Sequence, residues 1–393
     1  MSIFYHILIP VIVSMLAAIW IFPRVLRIAL MKNIVDNPDA RKLQRVPVPV
    51  MGGVAVMFGI LVAFSVCNIY IDCTSLFTII LAMLIMLYVG TIDDIMELSP
   101  GIRFLIEIAV TLMLMYSCGC SIDHFHGLWG LHHIAPIASV PLTIVTVVGL
   151  INAINLIDGV DGYSSGYCIM ACVIFGTFFY VSGDVHMVML ASVCAASLIP
   201  FFFHNVFGRT SKMFIGDGGT LSLGIVFSAF VVMLLSLPAR EGACCALYEA
   251  WGIGLVPFTL AVLSIPVFDT VRVMSMRILR HTSPFHPDKT HLHHLFISMG
   301  FSHIGTTISI LLLNLLVLLC WFVSYKQGAG IDVQLYIVIA MSFLVTFGFY
   351  GGMRWCQKHR HPLWRAMCRI GRATHVERKG LFLWLQRLMD GKG

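Results

Sequence analysis

Five aspartates in this 393-residue sequence stand among neighbours that could put them to chemical use: Asp93 and Asp94 in TIDDIMELSPGIRF, Asp158 and Asp161 in NAINLIDGVDG, and Asp217 in FIGDGG. In the second motif Asn152, Asn155, Asp158 and Asp161 recur every three residues, so that while the segment stays helical they form one polar stripe. Asp at the C-terminal end of a helix opposes the macrodipole, and Gly159 and Gly162 loosen the backbone there, so helix stability does not account for these acids. The plain reading is a set of solvated caps at helix ends. Five carboxylates with amides and glycine-rich turns also make the oxygen-donor set that Mg²⁺ takes. Asp217 has two readings of its own. It could be the N-cap of the helix that follows, or, with Gly218 and Gly219 admitting phosphate to a helix N-terminus, part of a diphosphate seat.

A second group is basic. The stretch RVMSMRILRHTSPFHPDKTHLHHLFISMG holds His281, His286, His291, His293 and His294 beside Arg277, Arg280 and Lys289, and His303 follows just after it. A zinc box would want Cys or Glu partners at helical or finger spacing, and none is near. Imidazole and guanidinium instead supply directed N–H donors to phosphate oxygens. The segment from Arg272 to Arg280 reads as a short helix on a lipid surface, with Val273, Met274, Met276 and Ile278 partly buried.

The elements that must position these groups follow from composition. With 59% hydrophobic residues, 11% charged residues and a mean hydropathy of +0.92, a water-facing globule and a disordered chain are both excluded. The expected fold is all-α, a polytopic integral membrane protein of about eleven spans. They fall near residues 3–23, 51–70, 76–92, 104–119, 138–157, 163–182, 186–204, 219–237, 250–271, 304–324 and 333–351. The fourth carries Glu107, and the ninth is interrupted by Pro257 and Pro266. With the N-terminus outside and the C-terminus in the cytoplasm, all of the 25 Lys and Arg except Arg240 and Lys326 lie inside. All five aspartates then reach the cytoplasmic face. The first span reads as retained, since nothing basic precedes it and no small-residue cleavage site follows. None of the 12 Cys forms a CxxC pair. Residues 1–351 are expected to form the membrane domain and 352–393 a basic cytoplasmic tail. In the tail Trp355, Trp364 and Trp384 alternate with Arg and Lys, the pattern of an amphipathic stretch against anionic lipid.

Taken together, DNPDARKLQRVPVPVMGG, TIDDIMELSPGIR, NAINLIDGVDG, HNVFGRTSKMFIGDGGT, IPVFDT and SPFHPDKTHLHH resemble the polyprenyl-phosphate N-acetylhexosamine-1-phosphate transferases, glycosyltransferase family 4, over residues 35–303. The resemblance implies transfer of a sugar 1-phosphate from a UDP-N-acetylhexosamine to undecaprenyl phosphate with release of UMP. It implies Mg²⁺, with Mn²⁺ as a substitute, at a bacterial cytoplasmic membrane, and allows a homodimer; no nucleic-acid partner is expected. By match to the motifs, Asp217 and Asn155 would be metal ligands. Asp158 and Asp161 would shape the same site, and Asp93 and Asp94 would stand at the lipid phosphate. Arg277, His291, His293, His294, Asn152, Asn205, Arg103 and Arg45 would contact the nucleotide sugar or its phosphates. Leu292 interrupting the His run, and Val50 before Met51, look like the GlcNAc-1-phosphate branch that begins O-antigen, capsule or teichoic acid linkage units. The peptidoglycan branch, which transfers phospho-MurNAc-pentapeptide, is the alternative.

Two anions must meet in such a reaction, so positioning and charge neutralisation carry it. A phosphate monoester has a second pKa near ~6 and is largely dianionic at neutral pH, so the Asp93–Asp94 pair reads better as an orienter than as a base. The rival class is a transporter, whose acids would sit at mid-membrane rather than at one aqueous face.

Overall fold

The computed structural model describes residues 2–38, 46–69, 72–236, 251–283, 289–377 and 380–391. Each apolar run forms a helix, because backbone polar groups in an apolar surrounding must bond within their own segment. In chain order these are α1 (Ser2–Met31), α2 (Gly52–Cys67), α3 (Phe77–Met96), α4 (Pro100–Cys118), α5 (Pro136–Leu156), α6 (Tyr163–Ser182), α7 (Val185–Phe207) and α8 (Gly216–Leu235). They are followed by α9 (Leu255–Val262), α10 (Ser264–Leu279), α11 (Leu292–Ser298), α12 (His303–Lys326), α13 (Ile331–Lys358), α14 (Pro362–Ala373) and α15 (Gly380–Met389). Among the described residues nine helices are long and apolar enough to cross a membrane, or ten if the bent pair α9–α10 is one span. The expected second span is the exception to the eleven. Helix α2 has 16 residues, about 24 Å of rise against a hydrocarbon layer of about 30 Å.

Helix α8 runs through the middle, its apolar window 89% buried. It can be surrounded because its first half is made of small residues, which let neighbouring backbones approach closely. A Cβ on Gly53 of α2 would lie 2.4 Å from the Gly219 Cα, and one on Gly90 of α3 would lie 2.3 Å from the Gly218 nitrogen. On a third side, a Cβ on Gly224 would lie 2.6 Å from Ile151 Cα of α5. The chain entering α8 is held by backbone bonds to the VPVPVMGG segment. Val35–Asp36 pairs antiparallel with Val48–Pro49, Val50 bridges Phe214 in parallel, and Gly52 N and Gly53 N donate to Phe214 O (2.9 Å) and Ile215 O (2.7 Å).

The ninth expected span is broken rather than straight, with a bend of 74° between α9 and α10. Pro257 and Pro266 each lie in the first turn of their helix, where a missing N–H costs nothing, so Pro266 starts a new helix instead of extending the old one. The carbonyls orphaned at the break find side chains. Val262 O accepts from Tyr167 Oη (2.8 Å) and Asn314 Nδ2 (3.0 Å), while Asn314 Oδ1 accepts from Ser264 Oγ (3.0 Å) and Ile265 N (3.1 Å).

The stretch expected as a lipid-surface helix is the second half of α10, and it is divided: Arg272, Val273 and Arg277 are buried, Met274 and Met276 are half-buried, and Ile278, Leu279 and Arg280 are exposed. Arg272 is only 2% exposed, pairs with Asp269 at 2.6 Å and lies 3.8 Å over the Tyr350 ring. Burying a guanidinium is tolerated because carboxylate, carbonyl and ring satisfy it together. Beyond α13, helices α14 and α15 fold back against the same end of the bundle, with Phe382 5.1 Å from Phe207.

Candidate active site

Arg103, in the first turn of α4, is the hub of the site. Its Nη1 lies 3.1 Å from Asp93 Oδ2 and 3.3 Å from Asp217 Oδ2. Nη2 donates to Asn152 Oδ1 (2.9 Å) and Asn155 Oδ1 (3.4 Å), and Nε lies 3.3 Å from Glu107 Oε1. One planar fork thus joins α3, α4, α5 and α8, which is the geometry a guanidinium offers and an ammonium does not. The amides are locked in turn. Asn152 Nδ2 donates to Glu107 Oε2 (2.6 Å), and Asn155 Nδ2 donates to Asp217 Oδ1 and Thr220 Oγ1, both at 2.9 Å.

Asp94 faces α8 from outside it. Its Oδ2 accepts from Asp217 N at 2.9 Å, so a carboxylate from α3 caps the N-terminus of α8. Asp217 is therefore not the cap of its own helix. It sits in the first turn, with its side chain 36% exposed. Gly216 makes this fit possible: its φ is +74°, and a Cβ there would lie 2.5 Å from Asp94 Oδ2. Asp93 is held by Leu98 N (2.7 Å) as well as by Arg103.

The expected stripe of four polar residues divides where α5 ends at Leu156. Asn152 and Asn155 stay on the helix and meet Arg103, whereas Asp158 and Asp161 lie in the turn beyond it. Asp158 accepts from Ser164 Oγ (2.6 Å), and burial, opposed by that hydroxyl, pushes its pKa up to about 7. For Asp161 burial acts in the same direction but loses. His303 Nδ1 and Lys212 Nζ, each 2.6 Å from its Oδ2, hold its carboxyl below the usual carboxylate range.

These groups open on a cavity of about 420 Å³. Asp94, Asp158, Asp161 and Asp217 line it together with Lys212, His294 and His303. Asn205 also lines it, but its amide is spent on structure, accepting from Gly162 N (2.6 Å) and donating to Met213 O (2.9 Å). His293 lies behind the wall against Gly159, and burial, with His294 and His291 adding to it, pushes its pKa well down, so its ring is neutral. His291 and Arg277 are buried and do not line the cavity. His291 Nδ1 is paired with Asp269 Oδ2 at 3.0 Å. Arg45 lies outside the described residues. A second cavity, about 590 Å³ and almost wholly apolar, lies between α5 and the α9–α10 bend, and Asn152 is among the residues that line it.

Three of these residues escaped the sequence reading. Glu107, fully buried in α4, had a signal: a carboxylate inside an apolar run, four residues after Arg103. Asp269 lay near the end of the ninth expected span and was legible as a charge needing a partner. Lys212 had no signal beyond its charge, because its meeting with Asp161 is made by the fold. Among the described residues no three Asp, Glu, His or Cys side chains are gathered as a ready metal cage. The donor set of Asp217, Asn155, Asp94 and Asp93 is nonetheless all oxygen. Mg²⁺ commonly takes one or two carboxylates and completes its shell with water and substrate phosphates, so this set fits it.

The fold and site define a polytopic membrane protein with a carboxylate-walled polar cavity at one end of its helices. The sequence matches Glycosyl transferase family 4 over residues 76–235. It is 31% identical over 338 residues to a probable undecaprenyl-phosphate N-acetylglucosaminyl 1-phosphate transferase of Bacillus subtilis (strain 168), covering 86% of this chain and 89% of that one. It is 27% identical over 364 residues to the undecaprenyl-phosphate alpha-N-acetylglucosaminyl 1-phosphate transferase of Salmonella typhi (90% and 91% covered), and 26% identical over 359 residues to that of Escherichia coli (strain K12) (90% and 92%). The chain belongs to glycosyl transferase family 4.

Proposed function

We propose that the protein transfers GlcNAc 1-phosphate from UDP-GlcNAc to undecaprenyl phosphate on the cytoplasmic side of a bacterial inner membrane, and so begins a lipid-linked cell-envelope polysaccharide. One observation carries this reading: a run of hydrogen bonds through Arg103 links the wall of the apolar cavity to the wall of the polar one. Asn152 lines the apolar cavity and bonds Arg103, which bonds Asp217 on the wall of the polar one. A substrate with a long apolar chain and a soluble anion would each find a matching chamber, with their phosphates brought together at the guanidinium. The relatives' names supply the sugar and the lipid, and an eleven-span reading of the sequence, which keeps all the basic residues but Arg240 and Lys326 on one side, supports the orientation.

In the reaction an oxygen of the lipid phosphate attacks the β-phosphorus of the UDP-sugar, the bond to the bridging oxygen breaks, and UMP leaves. Asp217 and Asn155, with Asp94, would hold Mg²⁺, which supplies Lewis-acid polarisation of the phosphoryl oxygens when bound. Arg103 neutralises anionic oxygen where the two substrates meet. Lys212, His294 and His303 face the cavity that would take the diphosphate. Both Asp93 and Asp94 already accept hydrogen bonds that fix α4 and α8. That engagement, with a nucleophile already dianionic, supports orientation over proton abstraction. The test is UMP release by purified protein given undecaprenyl phosphate, Mg²⁺ and a panel of UDP-sugars. UMP is expected with UDP-GlcNAc above the other sugars; no UMP with any of them overturns the reading.

A further inference from the structure

The two basic side chains that hold Asp161 are each one residue beyond a stretch of chain bound by the C-terminal segment. We propose that this segment is a clasp on the active site, in which Thr374 and Asp390 are positioning residues that fix His303 and Lys212 against Asp161 at the cavity wall.

Lys212 lies in the connection between α7 and α8. The three residues before it, Arg209, Thr210 and Ser211, donate their backbone N–H groups to a single oxygen, Asp390 Oδ1, at 3.0, 3.0 and 3.1 Å, and the Ser211 hydroxyl adds a fourth bond at 3.1 Å. Those N–H donors outweigh burial and hold the Asp390 carboxyl below the usual range, so the acceptor is anionic and the bonds are charge-assisted. His303 opens α12. The residue before it, Ser302, donates its N–H to Thr374 Oγ1 (2.9 Å) and its hydroxyl to Thr374 O (2.8 Å), while the same hydroxyl caps the helix by accepting from Gly305 N (3.1 Å). The approach is tight enough to require glycine. A Cβ on Gly305 would lie 2.4 Å from Thr374 Cβ, and one on Gly371 would lie 2.6 Å from Met299 O.

Anchorage on lipid accounts for a different face of the same helices, where Leu363, Ile370, Leu381, Trp384 and Leu388 are exposed. It does not account for an aspartate turned inward onto three backbone amides, or for paired hydrogen bonds at Thr374. Those contacts end one residue short of the two side chains that meet at Asp161, 2.6 Å on either side.

The kinetic part of the test rests on the transfer reaction proposed above; the exchange part does not. Full-length Asp390→Ala, Asp390→Asn, Thr374→Val and Thr374→Ser would be purified in detergent. Asp390→Ala and Thr374→Val should raise KM for UDP-GlcNAc about tenfold with kcat changed less than about threefold, the signature of lost ground-state binding. Asp390→Asn and Thr374→Ser keep an acceptor and should recover most of the loss. Hydrogen exchange at residues 209–212 should quicken about tenfold in Asp390→Ala, and at 302–305 in Thr374→Val. Unchanged KM in both variants overturns the positioning role even where exchange quickens, and unchanged exchange overturns the clasp. Should Asp390→Ala fail to fold, Thr374→Val decides the matter from the other side. If the wild-type protein releases no UMP, the transfer reading fails, and exchange at 209–212 and 302–305 alone decides the clasp.

Discussion

Asp158 and Asp161 are three residues apart in one turn and are driven in opposite directions, because burial dominates at Asp158 whereas His303 and Lys212 outweigh it at Asp161. The consequence for stability has a definite sign. Asp158 is raised by burial to about 7, so the folded state binds a proton that the unfolded chain releases near ~4. Its contribution is therefore full at low pH and is lost as pH rises through about 7. Asp158→Asn stays neutral throughout, so its thermal midpoint relative to wild type should be higher at pH 8 than at pH 5; a difference independent of pH would contradict a proton-binding Asp158. Asp161 has the reverse sign, its stabilisation present above ~4 and lost as pH falls below that. At Asp217 the stake is catalytic. Asp217→Asn keeps the shape but removes the charge that faces the cavity. It should abolish transfer at every Mg²⁺ concentration, a loss of at least roughly 10³-fold, while the protein still elutes as a folded species. Near-normal turnover would remove Asp217 from the reacting centre.

The geometry of those side chains is set by helices that touch through glycine. Gly90 of α3 meets the backbone of Asp217 and Gly218, so α3 and α8 cross with nothing between them, and Asp94 is then close enough to cap α8. A methyl group at position 90 would fall 2.3 to 2.4 Å from backbone atoms that have no rotamer to change. Gly90→Ala should cost about 1–3 kcal/mol or more in stability, as overpacking does. It should also lower turnover well beyond any change in folded yield, because the atoms displaced belong to Asp217. Thermal melting beside kcat separates the two effects, and a variant with normal turnover would show that the crossing does not position Asp217. The α9–α10 break works differently. Prolines create it, but Asn314 and Tyr167 make it tolerable by taking the carbonyls that the break leaves without partners.

For the whole molecule, sidedness is the property that the proposed function requires, since a nucleotide sugar is soluble and a polyprenyl phosphate is not. The clustered carboxylates, the His-bearing connection and both tail helices lie at one end of the bundle, while Lys326 lies at the other end of α12 from His303. Single cysteines test the orientation. Gly328→Cys should react with a membrane-impermeant maleimide in intact cells above the background of the parent protein, and Arg360→Cys only after lysis. The opposite pattern would invert the topology.

The sequence by itself determined the class of the protein and the residue types of its chemistry. Apolar runs long enough to span can only be helices in lipid, and the motifs around Asp93, Asp158 and Asp217 carried the family in their spacing. It marked Asn152, Asn155, Asp158 and Asp161 as one stripe, which the end of α5 divides, and it marked Pro257 and Pro266 as an interruption. Tertiary structure decided the rest: that Arg103 sits at the centre, that Glu107 and Asn152 hold it there, that Asp94 caps another helix, that Arg272 is interior rather than interfacial, and that Lys212 and His303 converge on one carboxylate. The physical reason is range. Helix formation and turn chemistry depend on neighbours within a few residues, whereas a hydrogen bond between Arg103 and Asp217 spans 114 positions and exists only because glycine-lined helices pack together.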